Sequence, residues 1–588
     1  MRRNWLRLAA RLPLAEKPPA GYATPPYLDF AAVGRAPTRR LEIGEALLSW
    51  GNTPVPSAGG LALATGPLVT EASTPPWDLA FADREDAAAL HRFAWLLPWL
   101  VQGGAAGWAR DEAVSLVRAA IAGWIAARGA QSDPVAWQPY TVGERLVNWT
   151  LAALALGDDF CSDDVVAESL RAQARYLAGH LEYYGERFTG NHLSHNGRGL
   201  YIAGLWLGEP GIAEIGRQIL LHERSRLFRE PWFASEGSSH YQFLIARNYG
   251  EALWFATQTG DQALAGALEP LVTDLGRGCE FFLVSGGDGR AAIPLFGDIS
   301  PDCRPEWLCG VPWVLARLTG GDYPRALVPH GVGWHRMFER VLPADVTQTR
   351  EAPIDSREWA RLEKHDWIAI AHVNPAGYPR GHAHQDTGAF VAYRGATAVL
   401  VDAGRLTYRD TEEGRWGRSA RAHSLLTVDD ASPAPEWHWA YPDSLMQQIS
   451  GDLPIIKCSG ETLTIEHGGF GRVRAGHHRR MITLSPASIV IADQLDGAGI
   501  HSVRLRWHVA GEPDTADAIR LADGTRVHLE SPGDVSVRQV VYSPHGTRSE
   551  GWASSAYGEA RPITTVTFTG RVRLPWSGTT SLTVECAA

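Results

Sequence analysis

The hydrophobic pattern of this chain changes period near residue 350, and no single kind of domain can absorb both periods. Upstream, apolar residues recur at helical spacing in "REDAAALHRFAWLLPWLVQG" (84–103), "DEAVSLVRAAIAGWIAARG" (111–129), "DVVAESLRAQARYLAGHLEYY" (164–184) and "GIAEIGRQILLHERSRLFRE" (211–230). Downstream, short alternating runs such as "WIAIAHV", "GAFVAYRGATAVLVD", "HSVRLRWHV" and "ITTVTFTGRVRLP" are separated by Gly, Pro, Asp and Asn turns. Similar helices on short loops predict stacked antiparallel hairpins, either a helical solenoid or an α/α toroid, and periodicity does not separate the two. The later runs predict an antiparallel β-sandwich. A chain of 588 residues is also too long for one ordinary core. The expected division is an irregular Pro/Gly-rich segment over 1–80, a helical domain over 81–350 and a β-sandwich over 351–588.

Composition excludes some partners. The formal charge is -10 and there is no basic tract, which argues against nucleic acid. A local arginine cluster can still serve an acidic substrate in one cleft. The basic start "MRRNWLRLAARLPLAEKPPA" lacks an unbroken apolar stretch because Arg7 and Arg11 interrupt it. No run long enough for a membrane span follows. The expected location is therefore the cytoplasm, with the periplasm as the alternative. Six scattered cysteines without CxxC spacing read as ordinary thiols. The 23 tryptophans either stack on sugar rings or fill helical cores, and both readings stay open.

Four stretches carry chemistry. "GHAHQD" sets His382, His384 and Asp386 at alternate positions, which suits a divalent-metal donor pair, proton-carrying histidines, or polar loop residues. Asp402 and His423 follow in "TAVLVDAGRLTY" and "RSARAHSLLTVD". "GNHLSHNGRGL" gathers Asn191, His192, His195 and Asn196 at a helix start, where they either cap the helix or stabilise negative charge. "EGSSHY" brings Glu236, Ser238, His240 and Tyr241 together, with the tyrosine a candidate acid or base. In "WQPYTVGERLVNW", Arg145 and Trp149 share a helix face, with Asn148 beside them. That face suits an acidic sugar, or equally a buried Arg–Trp stack.

In this order, and together with "IPLFGD" (293–298) and "RSARAH", these motifs resemble the heparinase II/III-like polysaccharide lyases from about residue 90 onward. The resemblance implies an incomplete (α/α) toroid followed by an antiparallel β-sandwich. It implies β-elimination at a uronic acid of an acidic polysaccharide. Asn191, with His192 beside it, would neutralise the carboxylate. Tyr241 and His382 would move the protons. His384, Asp402 and His423 would hold a divalent metal, usually zinc and largely structural, with Asp386 orienting one of the two neighbouring histidines. Arg145, Asn148, Trp149, His195, Glu236, His240 and Arg418 complete the expected substrate-binding set. One departure is Ser424-Leu425, where relatives commonly carry Asn-Thr after the later His. Relatives without an export signal often accompany bacterial surface-polysaccharide synthesis, and a homodimer is left open.

Two other readings remain. A glycoside hydrolase on the same scaffold needs two carboxylates across a cleft, for which Glu236 and Asp298 are candidates. A non-catalytic glycan-binding or assembly protein of a polysaccharide export system would bind without turnover.

Overall fold

The computed structural model describes residues 75–158, 163–321, 329–342, 356–437, 441–543 and 550–585, with shorter stretches between 21 and 70 and at 160 and 327. The first twenty residues and the stretch 343–355, on which the export-signal reading and the expected boundary near 350 fall, lie outside the described residues.

Helices at Arg84–Arg92, Leu96–Ala105, Arg110–Arg128, Pro139–Leu156, Asp164–Gly179, His192–Leu207, Pro210–Leu227, Ser239–Thr259, Gln262–Phe282 and Val311–Thr319 make up the first part. The breaks are local chemistry. Gly157, Gly208 and Gly260 end three helices in the left-handed conformation, at φ of 59°, 66° and 76°. Consecutive helices pack as antiparallel hairpins, His192–Leu207 on Pro210–Leu227 and Ser239–Thr259 on Gln262–Phe282. This is consistent with an incomplete ring. The Pro139–Leu156 and Ser239–Thr259 helices are inner ones. Every residue of the first is buried, and all but two of the second.

From Trp359 onward the described residues form one branched 14-stranded antiparallel sheet and a separate two-stranded hairpin, Trp552–Ala556 with Glu559–Pro562. Its spine is two strands of 22 residues, Ser488–Val509 and Thr564–Glu585, paired along most of their length. A register shift between Leu495 and Gly499 bends this ribbon. Its two arms therefore take different neighbours. His478–Ser485 pairs with the first arm of Ser488–Val509, and Leu426–Val428 with the second. Leu505 and Trp507 alternate inward and are fully buried.

The two parts share a core. Trp359, on the first strand of the sheet, packs edge-on against Phe282 and Phe296 of the helical part at 4.7 and 5.3 Å between ring centroids. Most described tryptophans are buried in such cores, among them Trp124, Trp149, Trp206, Trp334 and Trp507. The tryptophan load thus belongs to packing, and stacking of sugars on exposed indoles is not what accounts for it.

Candidate active site

The site lies where three loops interlock between the helical part and the sheet. The His382 amide donates to Glu236 O, and the Asp298 amide donates to His382 O, each at 2.9 Å. Two of the crossings admit no side chain. Gly237 (φ 63°) would bring a Cβ within 2.4 Å of Ala383 Cβ, and Gly297 (φ 68°) within 2.5 Å of Gly237 O. The glycines of "EGSS" and "FGD" therefore let distant loops place Glu236, Asp298 and His382 side by side.

Helix starts aim the other groups. Ser238 caps the Ser239–Thr259 helix by accepting from the Tyr241 amide, which sets Tyr241 in its first turn. Asn191 precedes the His192–Leu207 helix but makes no side-chain cap bond. Its amide Nδ2 instead reaches His382 Nε2 at 3.3 Å. The capping alternative for Asn191 is thereby set aside, and the surplus of polar groups in this motif is explained by contact across the domain junction.

His382 and Tyr241 stack ring on ring, 3.5 Å between centroids and 14° between planes. The Tyr241 hydroxyl lies 2.8 Å from that of Tyr408, and Arg405 sits 4.6 Å over the Tyr408 ring. Burial, with Asp302 nearby, holds the Tyr241 phenol well above its ordinary value, and the Tyr408 hydrogen bond pulls the other way. Burial and the neighbouring Tyr241 likewise raise Tyr408. Both phenols are therefore protonated at neutral pH. Glu236 is raised by burial and lies 3.9 Å from His382 Nε2.

Asp298 is the hub. Its Oδ2 is 2.9 Å from His382 Nδ1, its Oδ1 is 2.9 Å from His384 Nε2, and Arg405 Nη1 meets both oxygens at 2.8 and 3.0 Å. Burial alone would raise this carboxyl, but the two imidazoles and the guanidinium outweigh it and hold it well below the carboxylate range. An ionised carboxylate can only accept. The proton of each imidazole therefore sits on the nitrogen facing Asp298, which leaves lone pairs at His382 Nε2 and His384 Nδ1. One carboxylate thus sets both tautomers of "HAH".

The His384 lone pair points into a second centre. His384, Asp402 and His423, all buried, each offer one ligand atom, and these atoms lie within 4.8 Å of one another. His423 Nδ1 is 2.6 Å from Asp402 Oδ2. His384 Nδ1 and His423 Nε2 are buried and have no hydrogen-bond partner among the described residues. Two orphaned imidazole nitrogens beside a carboxylate are a donor set that suits a divalent cation such as zinc. Asp386 takes no part in orienting His382 or His384 by hydrogen bond. It lies 2.9 Å from His372 Nδ1 and accepts from Asn374, so the orienting carboxylate is Asp298. Ser424, the departure in the later motif, accepts the His508 amide and faces the sheet.

The other expected residues divide. His192 borders the site. Its Nδ1 is 3.0 Å from Glu182 Oε1, and its ring lies 4.4 Å from that of Tyr140. Burial would lower the imidazole, but the Glu182 carboxylate outweighs it and raises it. Arg418 is exposed on the short helix Glu412–Arg418, and its carbonyl accepts the Gln385 amide. The substrate-binding reading is corrected for five residues. Arg145 is fully buried, stacked 3.9 Å from the Trp124 ring and donating to the carbonyls of His91 and Ala136. Trp149 is fully buried against Phe93 and Trp124. His195 is held in the core between Glu144 and Asn248. His240 accepts the Ser300 amide, and burial pushes its imidazole down to about 3. Asn148 is buried too, its amide donating to Arg92 O.

Arg405 and Tyr408 carry no sequence signal beyond standing in "DAGRLTY", three and six residues after Asp402. Asp302, outside every motif, accepts from Tyr140 at 2.5 Å and pairs with Arg92 at 2.6 Å near Tyr241.

Residues 348–585 match the family described as heparinase II/III-like, C-terminal. Among solved structures, a heparinase III superposes with a TM-score of 0.63 at 15% identity, covering 86% of this chain and 78% of that one. A mutant of the heparan sulfate lyase from Pedobacter heparinus gives a TM-score of 0.55 at 15% identity, covering 90% and 81%. At such identity these two likenesses show a common fold. No curated protein matches by sequence.

Proposed function

We propose that this chain, heparinase II/III-like in its C-terminal region and a polysaccharide lyase by that kinship, cleaves a uronic-acid-containing polysaccharide by β-elimination. The observation that carries the reading is the face-to-face pair of His382 and Tyr241 beside Asn191, an imidazole against a phenol. His382 turns Nε2 toward the Asn191 amide at 3.3 Å and is the candidate base at that atom, because Asp298 holds its other nitrogen. Tyr241 keeps its proton, because burial raises it.

The steps follow from those states. The Asn191 amide and the His192 imidazole, whose pKa the Glu182 carboxylate raises, receive the uronate carboxylate and spread the charge that grows as the C5 proton leaves. His382 Nε2 takes that proton. The C5–H electron pair forms the C4–C5 double bond, and the C4–O4 bond breaks. Tyr241 gives its proton to the departing O4, and Tyr408 supports the phenolate through their shared hydrogen bond. Base and acid stand stacked on one side, which suits a sugar whose C5 hydrogen and C4 oxygen share a face, as in glucuronate or mannuronate. A divalent cation held by His384, Asp402 and His423 would tie together the loops that carry them. His384 contacts Asp298, so such an ion would also brace the hub.

The hydrolase pairing has little geometric support, because Asp298 is ion-paired, buried and bonded to three side chains. The test is incubation with a panel of uronic-acid polymers, followed by ultraviolet absorbance and product mass. Unsaturated products are expected, and products with water added would overturn the lyase reading. Activity retained in Tyr241→Phe and His382→Ala would overturn the roles.

A further inference from the structure

A second built cavity lies on the sheet, outside the catalytic groups. It is a groove of about 1090 Å³ whose lining includes Arg421, Arg472, Arg504, Arg506, Thr427 and Gln539. Its floor is laid down by register. Arg504 pairs with Thr427 on one neighbouring strand, Arg506 with Thr567 on the other, and Gln539 with Thr567 beyond. Arg504 and Arg506 are two residues apart and so share a face, while Leu505 and Trp507 turn into the core.

The charges in this groove are incompletely met. Arg421 and Arg506 both turn to the single carboxylate of Glu550, at 2.9 and 3.5 Å. Arg472 donates to Ser432 Oγ and to backbone carbonyls, those of Ser432, Pro433 and Gly469, with no carboxylate partner among the described residues. Arg504 pairs with Asp430, an exposed carboxylate at the rim. Two polar atoms have no partner among the described residues. Arg506 is 4% exposed and its Nε makes no hydrogen bond, and Thr427 is 5% exposed and its Oγ1 makes none. A buried polar atom without a partner is costly, so a surface with two such atoms, lined by four guanidinium groups against the carboxylates of Asp430, Glu436 and Glu550, gains from an anionic, hydroxyl-bearing ligand. Burial also pushes the Arg472 guanidinium down to about 10, a strain that a bound anion relieves. At about 1090 Å³ the cavity is too large for one small ion, and its hydroxyl, amide and guanidinium lining matches alternating hydroxyl and acid groups on a sugar chain. Gln385, which directly follows His384, also lines the groove, so the groove adjoins the loop of the proposed catalytic centre.

We propose that this groove is a second glycan-binding site, which takes a carboxylate- or sulfate-bearing stretch of an acidic oligosaccharide and holds it against Arg506, Arg504 and Thr427. It goes beyond the cleavage reading and does not require turnover. The test uses the full chain carrying Tyr241→Phe, titrated by calorimetry with hexasaccharides of hyaluronan and of chondroitin sulfate. Two classes of site are expected, and Arg504→Gln, Thr427→Val and Arg506→Gln should each weaken one class about tenfold or more. Arg504 is the partly exposed member, so its variant keeps the test open where loss of the buried Arg506 disturbs folding. Preference for the chondroitin sulfate arm identifies sulfate as the recognised anion, and equal binding identifies the carboxylate. With Tyr241 intact, cleavage of short oligosaccharides should be unchanged in Arg504→Gln, which reports on the cleft separately. Unaltered binding in both Arg504→Gln and Thr427→Val, or no binding of either hexasaccharide, overturns the proposal.

Discussion

Replacing Asp298 by Asn tests the hub with the least change of shape. The carboxylate accepts from His382, His384 and Arg405 at 2.8–3.0 Å. An amide offers one acceptor oxygen and turns the other position into a donor, so at least one imidazole N–H must face another N–H. Relief comes from moving the proton across that ring. At His382 this fills Nε2 and removes the lone pair that accepts the C5 proton. Losing a positioned general base costs about 10²–10⁴ in rate, and an Asp→Asn change that traps the wrong tautomer in a serine-protease triad costs about 10⁴. At His384 the same shift fills Nδ1 and weakens metal binding. Arg405 also loses its ionised partner, and breaking a buried pair from one side costs about 3–5 kcal/mol. The Asn variant should sit below that range because its shape and one acceptor remain. The assays are initial rate by ultraviolet absorbance on a uronic-acid polymer, metal content of the purified protein, and urea denaturation followed by tryptophan fluorescence. A rate within about threefold of wild type, under about 0.7 kcal/mol in barrier, would refute the tautomer reasoning. The hub also carries a pH sign. The folded pKa of Asp298 is depressed, so its stabilisation is present above the unfolded value of about 3.9 and is lost as pH falls through the folded one. The acid limb of wild-type stability should therefore be steeper than that of Asp298→Asn.

Other outcomes follow from single contacts. Tyr408→Phe removes the hydrogen bond that lowers the Tyr241 phenol, so the alkaline limb of the rate profile should move up while the fold is kept. His384→Ala and His423→Ala should each abolish metal content by mass spectrometry, whereas His382→Ala should retain it; the reverse pattern would exchange their roles. Arg145→Ala should destabilise the helical part by about 1–3 kcal/mol for each carbonyl it leaves unpaired, with turnover per folded molecule unchanged. His372 is raised to about 10, because Asp386 and Glu358 outweigh the lowering by burial. Its stabilisation is full below the unfolded value of about 6.5 and is lost as pH rises through about 10. Denaturant midpoints of wild type and His372→Gln should converge over that window.

The change from period 3.6 to period 2 was legible in the sequence, because each period is set by bonds within a few residues. The motifs around Asn191, Tyr241, His382, His384 and His423 were legible as chemistry, since too many polar groups crowd where a cap or a turn needs one. Direction was not legible. Arg145 and Trp149 share a helix face as their spacing requires, but their helix is buried all round, so that face meets Trp124 and Phe93. Amphipathic spacing identifies an outer face only where a helix has one. Asp386 stands two residues from His384 and serves His372, while Asp298, 86 residues away, serves both histidines of "HAH". That assignment depends on which loops cross, and the crossing is decided by the packing of Gly237 and Gly297 against loops far away in the chain. Local sequence thus determined the elements and the stock of reactive groups, and the tertiary structure decided which carboxylate meets which imidazole, because partners in a buried ion network are chosen by space.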